Sequence, residues 1–243
     1  MTKQKQTILE IDGIPVEIQR KKIKNLHLYV LPPDGRVRLS VPLGFTNEKA
    51  AAFVREKKDW ILRMQKKFEE LPHRPEPQYT SGETLYLFGR PYRLSVESGT
   101  GKPSVRSEGD TVILTAKPDC TAGQREACLN EWYRGLLKEE ISLRLPAWER
   151  KTGLFCDTWH IKNMKTRWGT CNPKARRVWL NLQLARKPEE CLEYVILHEL
   201  AHLKQMNHSE FFWAEVASVL PDYKTSKHWL KENSAALISR IRK

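Results

Sequence analysis

Forty-two Lys and Arg against 29 Asp and Glu give this chain of 243 residues a formal charge of +13, a balance that favours anionic partners such as nucleic acid, acidic protein surfaces or phosphorylated small molecules. Hydrophobic content of 40% with 29% charged residues describes a globular protein with core enough for one large domain or two small ones. A membrane span is excluded because no apolar run reaches about 18 residues, and the five scattered cysteines (Cys120, Cys128, Cys156, Cys171, Cys191), odd in number and without a C-x-x-C pair, argue against a zinc ribbon or a disulfide framework.

The polar start leads directly into Ile8-Leu9-Glu10-Ile11 with no signal segment, so the chain is expected to stay in the cytoplasm. Residues 7–41 read as antiparallel strands. Thr7–Ile11 and Val16–Gln19 flank the turn pair Asp12-Gly13, while Leu26–Val30 and Val37–Val41 alternate around Pro32-Pro33-Asp34-Gly35. The basic run Arg20–Lys24 suits a charged edge or turn, and His27 a structural role. Thr46 or Asn47 is placed to cap a helix reaching about Leu71, with Phe53, Val54, Trp60, Ile61, Met64 and Phe68 on one stripe. The proline-rich segment Leu71–Pro77 reads as a connector in which His73 meets solvent.

Strand patterning resumes in Thr84–Phe88 and Tyr92–Val96, joined across Gly89-Arg90-Pro91, and in Val112–Thr115. No catalytic constellation falls in this half. From Thr121 to about Arg150 an amphipathic helix carries Leu129, Trp132, Leu137, Ile141 and Leu145, and Pro146 is expected to kink or end it.

Residues 158–187 alternate as two strands, Trp159–Met164 and Val178–Leu182, around Lys165-Thr166-Arg167-Trp168-Gly169-Thr170-Cys171-Asn172-Pro173. No Asp or Glu stands between Asp157 and Glu189, whereas Lys162, Lys165, Arg167, Lys174, Arg176, Arg177, Arg186 and Lys187 are all basic. A hairpin of one sign predicts a positive field at the mouth of the site that follows.

That site is the stretch Ile196-Leu197-His198-Glu199-Leu200-Ala201-His202-Leu203-Lys204-Gln205-Met206-Asn207-His208. Residues four apart on a helix differ by about 40° in azimuth, so His198 and His202 share a face and can hold one Zn2+ at roughly 2.0–2.1 Å. Glu199 projects about 100° away, beside the metal, where its carboxylate can act as general base. The apolar flanks bury the helix, and buried imidazoles and carboxylates require partners.

A catalytic zinc commonly takes three protein ligands. His208 is the leading third ligand, at the spacing of H-E-x-x-H-x-x-G-x-x-H, with Gln205 where that pattern has glycine and Met206-Asn207 left to make the turn. Glu215 and Glu210 are the substitutes. Ser209 is placed to cap a helix from Phe211 to Leu220, ended by Pro221, and Lys227 to Ile241 reads as a final basic helix. Tyr223 and His228 are candidates to donate to a developing oxyanion.

Taken together, Thr166-Arg167-Trp168-Gly169-Thr170-Cys171, Leu180-Asn181, His198-Glu199-Leu200-Ala201-His202, Asn207-His208-Ser209 and Phe212-Trp213 resemble the YgjP-like branch of the SprT-related zinc metallopeptidases. The likeness extends to the basic N-terminal strands and the Tyr-x-Leu-Phe-Gly hairpin. Thr170 stands where that family commonly has Ser. The resemblance implies an α+β fold: a zincin-like core of helices on a small antiparallel-edged sheet over residues 119–243, preceded by a β-rich region, residues 1–118, with one long helix at about 46–71. It maps His198, His202 and His208 to zinc ligands and Glu199 to the base. Arg167, Trp168, Asn181 and Tyr223 are the candidate substrate-binding residues, and the segment Val178–Leu182 the candidate strand for a bound peptide. Related SprT-like proteases are associated with DNA.

Three functions follow. The first is a zinc-dependent peptidase acting on a protein or peptide, with nucleic acid or a nucleotide as a further partner through the basic surface. The second keeps the metal and hydrolyses nucleotide or phosphate esters, which the arginines near the site favour. The third is a non-enzymatic nucleic-acid-binding module, whose salt-dependent affinity would survive His198→Ala. Zinc over manganese or iron rests on ligand type alone.

Overall fold

The computed structural model describes residues 7–31, 34–70, 77–233 and 239–242. Pro32-Pro33 and most of the proline connector, His73 included, lie outside the described residues. The chain divides into two compact units, Met1–Pro75 with Ser234–Lys243, and Glu76–Asn233. The boundary expected at 118/119 thus falls inside the second unit, because the strands before it share a core with the helices after it.

In the first unit, β1 (Thr7–Ile11), β2 (Ile14–Lys21), β3 (His27–Leu31) and β4 (Arg36–Pro42) are followed by α1 (Asn47–Glu56) and α2 (Lys58–Glu70). Asp12 and Gly13 both have positive φ, 48° and 82°, as the tight hairpin between β1 and β2 requires. The strands are not all antiparallel as expected. β2 and β4 run parallel, Val16 opposite Val37, since alternation records which face a residue takes but not the direction of its neighbour. The single helix expected over 46–71 breaks at Lys57, with Thr46 capping its first half through Lys49 N. Val16, Ile18, Leu28, Leu39, Phe53, Val54 and Ile61 form the core.

The final helix expected over 227–241 is also corrected. Its helical part starts earlier, at Tyr223, and ends at Glu232. Ser239–Arg242 is a strand, paired antiparallel with β3, Ser239 opposite Val30.

The second unit opens with β5 (Thr84–Leu87), β6 (Arg90–Ser98), β7 (Ser104–Glu108) and β8 (Thr111–Ala116), in the order β5-β6-β8-β7. Then comes α3 (Ala122–Thr152), started by a capping box in which Thr121 and Gln124 bond each other's backbone N–H. It runs through Pro146 without ending. The missing N–H and the clash of the ring with the preceding turn together cost about 3 kcal/mol, and the buried row Leu129, Tyr133, Leu137, Ile141 and Leu145 offsets it.

A second sheet of this unit, ordered β10-β11-β9, joins β9 (Thr158–Lys162), β10 (Gly169–Asn172) and β11 (Arg177–Asn181). β11 lies between the other two, antiparallel to β10 and parallel to β9. A 3₁₀ turn (Leu182–Arg186), α4 (Glu189–Ala201), α5 (Glu210–Val219) and α6 (Tyr223–Glu232) complete the unit. Helices and sheets are mixed throughout, so the α+β class holds. Among the described residues no helix is long and apolar enough to cross a membrane.

Candidate metal centre

Helix α4 is buried along nearly its whole length, and polar contacts fix it before the site begins. Glu189 and Glu190 stand in its first turn, where the helix dipole favours negative charge. Arg144 of α3 bonds Glu189 at 2.7 Å and Glu193 at 2.6 Å, Trp148 Nε1 donates to Glu193, and Ser226 of α6 donates to the Glu190 carbonyl at 3.1 Å.

His198 lies in the last turn of α4 and His202 caps it. The chain then turns back, and His208 comes just before Ser209, whose hydroxyl accepts from Phe212 N to start α5. The ligand atoms of His198, His202 and His208 lie within 4.8 Å of one another. His208 Nε2 is 3.0 Å from His198 Nε2. A metal held tetrahedrally at roughly 2.0–2.1 Å spaces its nitrogens by roughly 3.3–3.4 Å, so the rings are close to the spacing a shared ion demands.

The far nitrogens are occupied. His202 Nδ1 donates to the Gln205 carbonyl at 2.9 Å, and the Tyr194 hydroxyl lies 3.5 Å from His198 Nδ1. Such contacts leave Nε2 of each ring free for a cation. Gln205, the departure from the extended motif, serves here through its backbone.

An aromatic floor supports the rings. Phe212, fully buried, has its ring centroid 5.0 Å from His198 and 4.8 Å from both His202 and His208. Trp213 stacks on His208 at 5.5 Å and on Tyr223 at 5.3 Å. Tyr223 in turn stacks on Tyr194.

Glu199 is only 4% exposed, and its Oε2 has no hydrogen-bond partner. Burial pushes its carboxyl up to about 8, with the charge of Arg167 pulling the other way. Burial, with His202, His208 and Lys227 adding to it, holds His198 down to about 3. Three imidazoles gathered beside a dry carboxyl with an orphaned oxygen form a donor set suited to one cation. The residues fit a divalent metal.

The opposite wall is β10. An added Cβ at Gly169 would lie 2.5 Å from Glu199 Oε1 and 2.7 Å from its Cγ, so the Glu199 side chain occupies the space a side chain there would need. Arg167, Gly169, Thr170, Cys171 and Pro173 face His198, Glu199, His202, Met206 and His208 across a cavity of about 310 Å³. Burial and the nearby Glu199 push the Cys171 thiol up to about 11.

Of the residues singled out from sequence, His198, Glu199, His202, His208 and Arg167 meet at this cavity. The others lie elsewhere. Asn181 is fully buried and ties down the loop before β10, donating to the carbonyls of Met164 at 2.8 Å and Arg167 at 2.6 Å. Trp168 packs against the core beside Lys187, and Tyr223 is buried in the ring stack. Glu215 is paired with Lys204 at 2.9 Å, and Glu210 stands exposed in the first turn of α5. His228 is exposed on α6, away from this cavity's lining, and His160 packs at a tilt against Trp179, ring centroids 4.5 Å apart.

The strand Val178–Leu182, expected to receive a peptide, is corrected. β11 is flanked on both sides, and the open edge beside the histidines is β10. Gly169, Phe212 and the carbonyl of Gln205 were missed as site-builders because each acts through a contact rather than through its own chemistry. Part of the basic run is engaged locally: Arg176 pairs with Asp157, Arg186 bonds Asn130 over Tyr133, and Lys187 lies near the rings of Trp168 and Trp229, while Arg177 Nε is buried without a hydrogen-bond partner among the described residues.

No curated protein matches the sequence significantly. Among solved structures, the crystal structure of the metallopeptidase zymogen of Pyrococcus abyssi abylysin is similar at 25% identity and a TM-score of 0.35, over 38% of this chain and 94% of that one. The family model described as YgjP-like, metallopeptidase domain, matches residues 24–233, which take in the whole cavity, and the chain therefore belongs to the YgjP-like metallopeptidase-domain family.

Proposed function

We propose that this protein is a zinc-dependent peptidase in which Glu199 is the general base. The observation that carries the reading is the orphaned, buried Glu199 carboxyl set beside three imidazoles whose ligand nitrogens lie within 4.8 Å of one another. His198, His202 and His208 would hold the ion. Bound there, zinc supplies Lewis-acid polarisation of the scissile carbonyl and brings the pKa of water towards about 7. Glu199 accepts the proton of the attacking water at its free Oε2 and returns it to the leaving amine. The edge of β10 orients the substrate, pairing with an extended peptide backbone so that its carbonyl faces the histidines. Phe212 and Trp213 keep bulk water from the back of the rings.

The test is Glu199→Gln. It should bind zinc as the parent does while losing at least about 10²-fold in peptide hydrolysis, read by metal analysis together with a fluorogenic peptide panel. Parent-like turnover in that variant ends the reading.

A second reading, hydrolysis of nucleotide or phosphate esters, is favoured by one observation: Arg167 lines the cavity. Running nucleoside triphosphates beside denatured protein, with and without chelator, separates the two. Nucleic-acid association rests on Lys162, Lys165, Arg167 and Lys174, exposed and without an ion pair among the described residues. It predicts a steep salt dependence of DNA affinity.

A further inference from the structure

The charge balance at the cavity is one-sided. Apart from the buried Glu199, no acidic side chain lines it among the described residues. Arg167 does line it, is exposed, and its guanidinium has no hydrogen bond or ion pair among the described residues. A second cation, Lys227, has its Nζ 3.6 Å above the Trp213 ring that stacks on His208, and it likewise lacks an acidic partner among the described residues. The charges of both reach the site: Arg167 acts on Glu199, and Lys227 on His198 and His208.

Arg167 is also firmly mounted. Asn181 Nδ2 donates to its carbonyl at 2.6 Å, and the next carbonyl, of Trp168, accepts from Asn181 N at 2.8 Å. Asn181 itself is fully buried and makes further bonds to both backbone groups of Met164. Arg167 therefore extends a planar, five-donor head from a fixed backbone, two residues before the first residue of the open strand β10. A backbone paired along β10 would carry its side chains past that head, and a carboxylate is the peptide group that a guanidinium takes in two parallel bonds.

Resting on the peptidase reading above, we propose that Arg167 makes this site selective for peptides with an Asp or Glu close to the scissile bond. Asn181, which never touches the substrate, is the positioning residue that keeps Arg167 in place. The zinc-loaded Glu199→Gln protein tests this, since it allows binding to be read without cleavage. Three dye-labelled octapeptides, identical except for a central Glu, Gln or Lys, are titrated by fluorescence anisotropy.

The Glu peptide should bind about tenfold more tightly than its Gln twin, the effect of one charge-assisted bidentate contact. Adding Arg167→Ala should erase that difference, so that the Glu and Gln peptides bind alike. Arg167→Glu should turn the preference towards the Lys peptide. The proposal is overturned if the Glu and Gln peptides bind alike, if the Glu peptide fails to bind, or if its advantage survives Arg167→Ala. It is equally overturned if a nucleoside triphosphate occupies the Arg167-dependent site more tightly than the Glu peptide. The same peptides given to the zinc-loaded parent protein separate this proposal from the reading beneath it. Arg167-dependent binding of the Glu peptide without cleavage defeats the peptidase and leaves the preference standing; cleavage of all three at equal rates defeats the preference alone.

Discussion

The strands β1-β2-β4-β3, to which Ser239–Arg242 adds a fifth, and the sheet β5-β6-β8-β7 share one connectivity: two antiparallel hairpins joined by a parallel pairing of their second and fourth strands. Even the first turns agree. Asp12-Gly13 and Phe88-Gly89 have φ of 48° and 82°, and of 46° and 82°. What the two turns touch differs. An added Cβ at Gly13 meets nothing within 4 Å, and Asp12 reaches Arg55 at 3.2 Å and Lys58 at 4.0 Å, both with side chains well open to solvent. At Gly89 the same Cβ would lie 3.0 Å from Pro188 Cα, at the N-cap of α4, while Phe88 N donates to the Ala185 carbonyl at 2.8 Å. One hairpin closes its sheet; the other seats the helix that carries the histidines. The same local chemistry becomes part of a site only where its contacts end on a functional element.

The largest test of that contrast compares two buried aromatics. Phe212→Ala removes the ring beneath all three imidazoles, and we expect a loss of about 3–5 kcal/mol together with a fall in zinc affinity. Phe53→Ala, in the first unit, should cost a similar amount while zinc affinity stays at the parent value. Denaturant melts paired with zinc titrations read both; an equal drop in affinity for the two variants breaks the comparison.

Next in size is Gly169→Ala. The new methyl displaces the Glu199 carboxylate rather than any backbone, so kcat should fall by about 10²-fold with KM and zinc content unchanged. A loss of zinc instead would mean that the strand, not the carboxylate, had moved. The smallest effect separates the two turns. Gly13→Ala should cost about 1–2 kcal/mol for its left-handed φ, and Gly89→Ala about 1–3 kcal/mol beyond that for crowding Pro188. Equal costs would mean that the second turn bears on nothing.

That His198, Glu199 and His202 share one helix was legible because helical spacing places them, and capping by Ser209, and by Thr46 or Asn47, because capping is local chemistry. Strand direction was not: β2 and β4 alternate as β1 does, and alternation carries no record of a partner's sense. Nor was the role of Gly169, thirty residues before Glu199, since only the folded chain brings the missing side chain up against the carboxylate. Asn181, expected at the substrate, is fully buried and bonds the carbonyls of its own loop. Its amide has the same chemistry whether it meets a substrate or the carbonyls of its own loop, and burial decides between them.

The brevity of β10 has a consequence for self-association. A strand open along one side offers its amides to any extended backbone, including that of another copy of this protein. Here the exposed stretch is four residues long, Gly169 to Asn172, and is followed at once by Pro173, which has no amide hydrogen to continue a ladder. It can grip a single short segment but is too small a template for stacking one molecule on the next.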